Sequence, residues 1–186
     1  METPANILRA IAGESMARNK YTFFASQAKK EGYEQIAAIF IETADNEKEH
    51  AKRLMKLLPD KKVVATLENY DFPKVGDTAT NLKAAADGEK YEWTSMYPEF
   101  AAKAEEEGYK EAATVFTEIG EVEEEHEKRY LKLMENVKQG KVFKRDQEVY
   151  WRCRNCGYVH KGKEAPKECP ACAHPQSYYE LLAENY

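Results

Sequence analysis

The chain has 186 residues, a formal net charge of −5, and 33% charged against 42% hydrophobic residues. That length suits one good-sized domain plus a small one, and the acidic balance gives no reason to expect nucleic acid or an anionic membrane as partner. Apolar runs are only a few residues long, and Met1-Glu2-Thr3-Pro4 has neither the basic nor the apolar region of a secretory signal, so no membrane span and no export are expected.

Thr3-Pro4 reads as a helix start, with Thr at the N-cap and Pro at the first helical position. Ile7, Leu8, Ile11, Tyr21, Phe24, Ala25 and Ala28 then form a helical stripe that Gly32 stops. A second helix is predicted from about Tyr33 to Leu58, with Pro59 just beyond it. Asp60 to Thr78 has no period and contains Pro73 and Gly76. It has the length of a crossover that returns the next helix to the same end of a bundle. The third helix covers Ala79 to Glu107, stopped by Gly108, and the fourth covers about Tyr109 to Lys138, ending at Gly140. Lys141 to Tyr150 reads as a polar linker. Trp151 to Tyr186 is aromatic and rich in turn residues, and too small for a self-sufficient core without a staple. The expected division is an all-α four-helix bundle over residues 1–145 and a metal-stapled β/loop domain over 146–186.

An internal repeat organises the bundle. Tyr21 to Leu57 maps onto Tyr97 to Leu133 at a constant offset of 76, pairing Phe24 with Phe100, Glu31-Gly32-Tyr33 with Glu107-Gly108-Tyr109, and Phe40 with Phe116. It also pairs Glu47 and His50 with Glu123 and His126. Each Glu-x-x-His places a carboxylate and an imidazole on one helix face. One such pair on a charged helix is usually solvated; two at matching positions point to a metal site. Helix one adds Glu14, and helix three adds Glu89 and Glu92. A Glu from each of two helices and Glu-x-x-His from each of the other two is the di-iron or di-manganese carboxylate arrangement, here with one extra Glu. Five buried glutamates carry −5, which two ferrous ions nearly neutralise. The repeat slips at this point: the offset places Lys90, not Glu89, opposite Glu14. A one-residue insertion, such as a π-bulge, restores the match. Tyr21 and Tyr97 are two turns along and are either hydrogen-bond donors to the carboxylates or ordinary core residues.

Cys153-x2-Cys156-x12-Cys169-x2-Cys172 has the spacing of a tetrathiolate metal site, and its clustering suits a reducing cytoplasm better than a disulfide framework. Spacing alone does not separate zinc from a one-iron redox centre; a neighbouring redox pair that needs an electron source favours iron. His160 and His174 exceed the four-ligand count and read as surface residues.

These motifs resemble the rubrerythrin family, a ferritin-like di-iron bundle followed by a rubredoxin-like domain. The resemblance spans essentially the whole chain. It is carried by Gly13-Glu14-Ser15-Met16-Ala17-Arg18, Glu47-Lys-Glu-His50, Gly88-Glu89-Lys-Tyr-Glu92-Trp93, Glu123-Glu-Glu-His126 and the cysteine motifs beginning at Trp151. It implies that Glu47 and Glu123 bridge two irons, that Glu14 and Glu92 bind one of them, and that Glu89 and His126 bind the other. It further implies that His50 replaces Glu92 on reduction, and that the four cysteines hold a single iron. The implied activity is reduction of hydrogen peroxide to water by a cytoplasmic homodimer, as oxidative stress protection. Electrons would come from a donor such as a rubredoxin or an NAD(P)H-dependent reductase. The alternatives are a ferroxidase or iron-handling protein, an oxygen-activating oxidase, and a non-enzymatic helical interaction module with a structural zinc ribbon. Zinc substitution is possible at the same ligands.

Overall fold

The computed structural model describes residues 1–67 and 72–185. Part of the expected crossover, residues 68–71, and the terminal Tyr186 lie outside these. Helix α1 is Thr3–Lys30 and α2 is Glu34–Met55. The expected third helix is Thr78–Tyr91 (α3), a π-helical turn at Glu92–Met96, and Tyr97–Glu106 (α4); α5 is Lys110–Lys138.

The first expectation to fail is the cap at Thr3. Thr3 is the first helical residue, and no side chain of its own segment caps α1. Its backbone N–H and hydroxyl, with the N–H of Glu2, instead donate to the Glu107 carboxylate at 2.7–2.9 Å. The other half repeats the device: Glu31 accepts from the Thr78 N–H at 3.0 Å. The starts of α1 and α3 thus each receive an acid from the end of a helix in the opposite half, where the positive end of the helix dipole favours it, and at α3 it acts beside a local cap, Asp77, which accepts from Thr80 N–H at 2.7 Å.

The glycine stops behave as expected. Gly32 and Gly108 have φ of +81° and +80°. Tyr33 N–H donates to Ala28 O at 2.9 Å and Tyr109 N–H to Ala104 O at 2.8 Å. This is the Schellman closure, which needs a residue that tolerates the left-handed region. The π turn takes up the inserted residue: Glu14 and Tyr21 are seven apart, Glu89 and Tyr97 eight, and both pairs still face inward. The wider i→i+5 turn absorbs the extra residue without rotating the flanks out of phase.

Two apolar clusters fill the bundle. One gathers Tyr21, Phe24, Ile36, Phe40, Leu82 and Tyr130; the other gathers Ile7, Leu54, Tyr97, Phe100, Phe116 and Ile119. Each fully buried side chain of this size contributes about 1.5–3 kcal/mol. The acidic residues lie between the clusters. No helix of the described residues is long and apolar enough to cross a membrane.

The small domain is a three-stranded antiparallel sheet in the order β2-β1-β3, with β1 Lys144–Cys153, β2 Val159–Glu164 and β3 Tyr179–Leu181. Most of the expected linker is therefore strand. The outer part of β1 is exposed and polar, so it lacks the alternation that marks a half-buried strand. Trp151, Cys153, Ala165, Cys169 and Tyr179 form the domain's core. Phe143 stacks on Tyr33 of the bundle, 6.1 Å between ring centres.

Candidate metal centres

Helices α2 and α5 bring the two Glu-x-x-His pairs face to face. His50 Nδ1 lies 2.9 Å from Glu47 Oε2 and 3.0 Å from Glu123 Oε1. His126 Nδ1 lies 2.7 Å from Glu123 Oε2 and 3.4 Å from Glu47 Oε1. Each imidazole thus faces one oxygen of each carboxylate, and the two imidazoles use opposite oxygens. Helix α1 adds Glu14, 3.5 Å from His50, and α3 adds Glu89, 3.8 Å from His126. Two sets of potential ligand atoms result, each lying within 4.8 Å of one another: Glu14, Glu47, His50 and Glu123, and Glu47, Glu89, Glu123 and His126. Glu47 and Glu123 belong to both.

Both oxygens of Glu47 and of Glu123, Oε2 of Glu89 and Nδ1 of both histidines are buried, and although the imidazoles approach Glu47 and Glu123 to 2.7–3.4 Å, none of these atoms makes a contact with hydrogen-bond geometry. So many unmatched acceptors at one point are costly unless a cation satisfies them. The donor set, carboxylate oxygen with imidazole nitrogen, suits first-row divalent ions.

Burial first, then neighbouring carboxylates, pushes the Glu14 and Glu89 carboxyls well above the usual carboxylate range. Burial opposes charge on His126, but its contacts to Glu123 and Glu47 prevail and push it up to about 9. Burial and mutual repulsion of the carboxylates drive the carboxyl shifts, and a bound cation would offset both. Tyr21 and Tyr97 are donors rather than plain core residues. Tyr21 Oη donates to Glu89 Oε1 at 2.5 Å, and Tyr97 Oη donates to Glu14 Oε1. Each reaches the carboxylate of the opposite half, a crossing that spacing along one helix does not show.

Glu92 belongs to neither four-residue set. It lines a neighbouring cavity, and its carboxyl is pushed up to about 8, by burial first and then by Glu123, while Lys20 acts in the opposite direction. His50 stands with Glu14 where the family resemblance implies that Glu92 binds. In the sequence Arg18-Asn19-Lys20 looks like solvated surface, so nothing local marks Lys20 as enclosed.

The four cysteine sulfurs also lie within 4.8 Å of one another, with Cys153 to Cys172 at 3.8 Å and Cys156 to Cys169 at 3.6 Å. Two matching knuckles hold them. Gly157 N–H donates to Cys153 O and Ala173 N–H to Cys169 O, both at 2.8 Å, and both residues have positive φ. The Cys172 thiol is held down to about 6, chiefly by the backbone N–H of His174, as suits a thiolate ligand. His160 and His174 fall outside the ligand set, but both are part-buried rather than on the open surface. His174 packs edge-on against Tyr178, 4.6 Å between ring centres.

A bundle with these paired helices, next to a tetrathiolate knuckle domain, defines a ferritin-like di-iron carboxylate protein with an appended rubredoxin-like domain. The family profile described as rubrerythrin matches residues 5–134, and that described as the rubrerythrin rubredoxin-like domain matches residues 151–180. The chain is 57% identical to a rubrerythrin of Porphyromonas gingivalis over 100% of this chain and 92% of that one. It is 55% identical to a rubrerythrin of Nitratidesulfovibrio vulgaris over 99% and 96%. Among solved structures, fully reduced, all-ferrous nigerythrin aligns with a TM-score of 0.65 at 36% identity, over 97% of this chain and 86% of that one. A bacterioferritin of Desulfovibrio desulfuricans shares the fold, with a TM-score of 0.66 at 20% identity over 75% of this chain and 82% of that one. The chain belongs to the rubrerythrin family, an iron-dependent oxidoreductase family. It carries a di-iron carboxylate/histidine site and a four-cysteine rubredoxin-like site.

Proposed function

We propose that the chain reduces hydrogen peroxide to water at the di-iron site, with electrons relayed through a rubredoxin-type Fe(Cys)4 centre. The observation that carries the reading is the sharing of Glu47 and Glu123 between two buried ligand sets, in one chain with a tetrathiolate. In this reading Glu47 and Glu123 would be shared by both ions, Glu14 and Glu89 would hold one iron each, and His126 would complete the Glu89 side. Glu92 and His50 would alternate on the Glu14 side. Cys153, Cys156, Cys169 and Cys172 hold the relay iron, and Tyr21 and Tyr97 fix the outer carboxylates by their hydrogen bonds.

What the iron pair supplies when bound is two electrons for a single O–O bond, avoiding the one-electron cleavage that releases hydroxyl radical. The protein excludes bulk water with apolar residues on both sides of the site. The knuckle backbone keeps the four sulfurs fixed through each electron passage, which suits a relay. The electron donor is a rubredoxin or an NAD(P)H-dependent reductase, and the protein acts as a cytoplasmic homodimer in oxidative stress protection. Exposed aromatic surface at Phe23 and Phe72, whose rings meet edge-on at 6.4 Å, supports self-association. The division between bundle and small domain falls near residue 145.

The test is an anaerobic titration of the reduced, iron-reconstituted protein with sub-equivalents of peroxide, followed in the visible spectrum. Stoichiometric oxidation of the iron pair, with bleaching of the cysteine-iron bands that reductant reverses, is the expected result. Slow reaction with peroxide, fast reaction with oxygen and continued uptake of added Fe²⁺ would replace this reading with iron handling. Zinc without iron after reconstitution would replace it with a structural module.

A further inference from the structure

The cavity beside Glu92 holds a buried cation that the proposed chemistry does not use. Lys20 on α1 is 9% exposed. It lines a cavity of about 270 Å³ together with Gly13, Asp87, Gly88, Glu92 and Met96. Its Nζ sits 5.1 Å from the centre of the Tyr21 ring. It is also 3.2 Å from the point where a side chain on Gly88 would begin, so Gly88 leaves the ammonium its space. Among the described residues no carboxylate lies within 4.0 Å of this nitrogen. The Tyr21 ring offsets part of the cost of burying this charge, and a carboxylate within the same cavity stabilises it further. Two carboxylates line the cavity. Asp87 is already held by Lys83 at 2.5 Å. Glu92 remains.

We propose that Lys20 is the positioning residue that receives the Glu92 carboxylate while His50 occupies the metal position. The inference rests on the Glu92–His50 alternation in the functional reading above. In the arrangement described here His50 stands among Glu14, Glu47 and Glu123 and Glu92 is outside both sets, with its carboxylate in the same cavity as Lys20 but beyond 4.0 Å from the ammonium, so the two meet by movement within that cavity. The long, flexible lysine stem lets the ammonium follow a moving carboxylate across the cavity. The step is a ligand exchange: one carboxylate leaves, one imidazole enters, and no electron or net proton is transferred. A cation waiting off the metal lowers the cost of leaving it, and so favours the reduced pair.

The decisive comparison uses Zn²⁺, which holds the ferrous charge without redox change. Crystal structures of the zinc-loaded wild type and the Lys20→Arg variant should show Glu92 off the metal and against the cation, with His50 bound. Lys20→Met should show Glu92 on the metal and His50 withdrawn. Methionine matches the lysine stem in length and removes a buried charge, so the fold is retained. In the iron form, the midpoint potential of the pair should fall in Lys20→Met and recover in Lys20→Arg. Glu92 displaced equally in wild type and Lys20→Met, with unchanged potential, would overturn the role of Lys20 and leave the alternation standing. Glu92 fixed on zinc and on reduced iron in the wild type would overturn both.

Discussion

At the scale of single residues, the site depends on hydrogen bonds that cross between the two halves. Tyr21 donates to Glu89, so Tyr21→Phe leaves that carboxylate free to rotate and less able to hold its iron. Loss of such a supporting partner should weaken binding on the His126 side about 10-fold or more, read by chelator competition. An unchanged affinity would reduce Tyr21 to a packing residue. Glu107 offers a pH-dependent case. The backbone N–H groups of Thr3 and Glu2 hold its carboxyl down to about 2, against an ordinary value of 4.5. A folded-state value below the unfolded one gives stability that is complete above pH 4.5 and fades as pH falls toward 2. The difference in thermal midpoint between wild type and Glu107→Gln should therefore shrink across that window and close at its acid end. A difference that stays constant would mean that the contact acts through shape rather than charge.

At the scale of elements, the duplicated helix pairs were legible because their signals are local. A Glu-x-x-His spacing, a glycine stop and an inward aromatic each depend on a few neighbouring residues, and each occurs twice. The slip of the repeat between Glu89 and Tyr97 even marked the π turn. Features that depend on distant partners were not legible. Nothing near Thr3 indicates that Glu107 will cap it, and nothing near Lys20 indicates that it will be enclosed. Strand β1 looks like a linker in the sequence because its outer residues are polar on both sides and pair through backbone. The π turn also has a testable cost. Thr94 is exposed within it. Deleting Thr94 lets α3 and α4 join as one regular helix, with Glu89 and Tyr97 still facing inward. A gain of about 1 kcal/mol, or roughly 2–4 °C in thermal midpoint for a chain of this size, is expected, with iron retained. Peroxide turnover should fall if the π turn supports the proposed alternation of Glu92 and His50. A deletion variant that is stabilised and fully active would show that the turn has no part in the chemistry.

At the scale of the whole molecule, the proposed reaction divides the work between the two metal centres, one storing an electron pair and the other refilling it. Cys156→Ala should abolish turnover with an external reductase while leaving one round of peroxide reduction by the prereduced bundle. Rapid-mixing spectroscopy separates the two, and persistence of both would remove the cysteine centre from the relay. The ligand sets have one more consequence. Each draws three residues from one half of the bundle and a single carboxylate, Glu123 or Glu47, from the other. Neither half can complete a site alone, so the ions tie together two pieces of protein whose covalent connection is the crossover. A bundle cut between Asp60 and Lys61 should behave as two polypeptides that seek each other, and Zn²⁺ should act as their adhesive. Size-exclusion chromatography of the separately made fragments should show a complex that tightens with the ion and loosens with chelator.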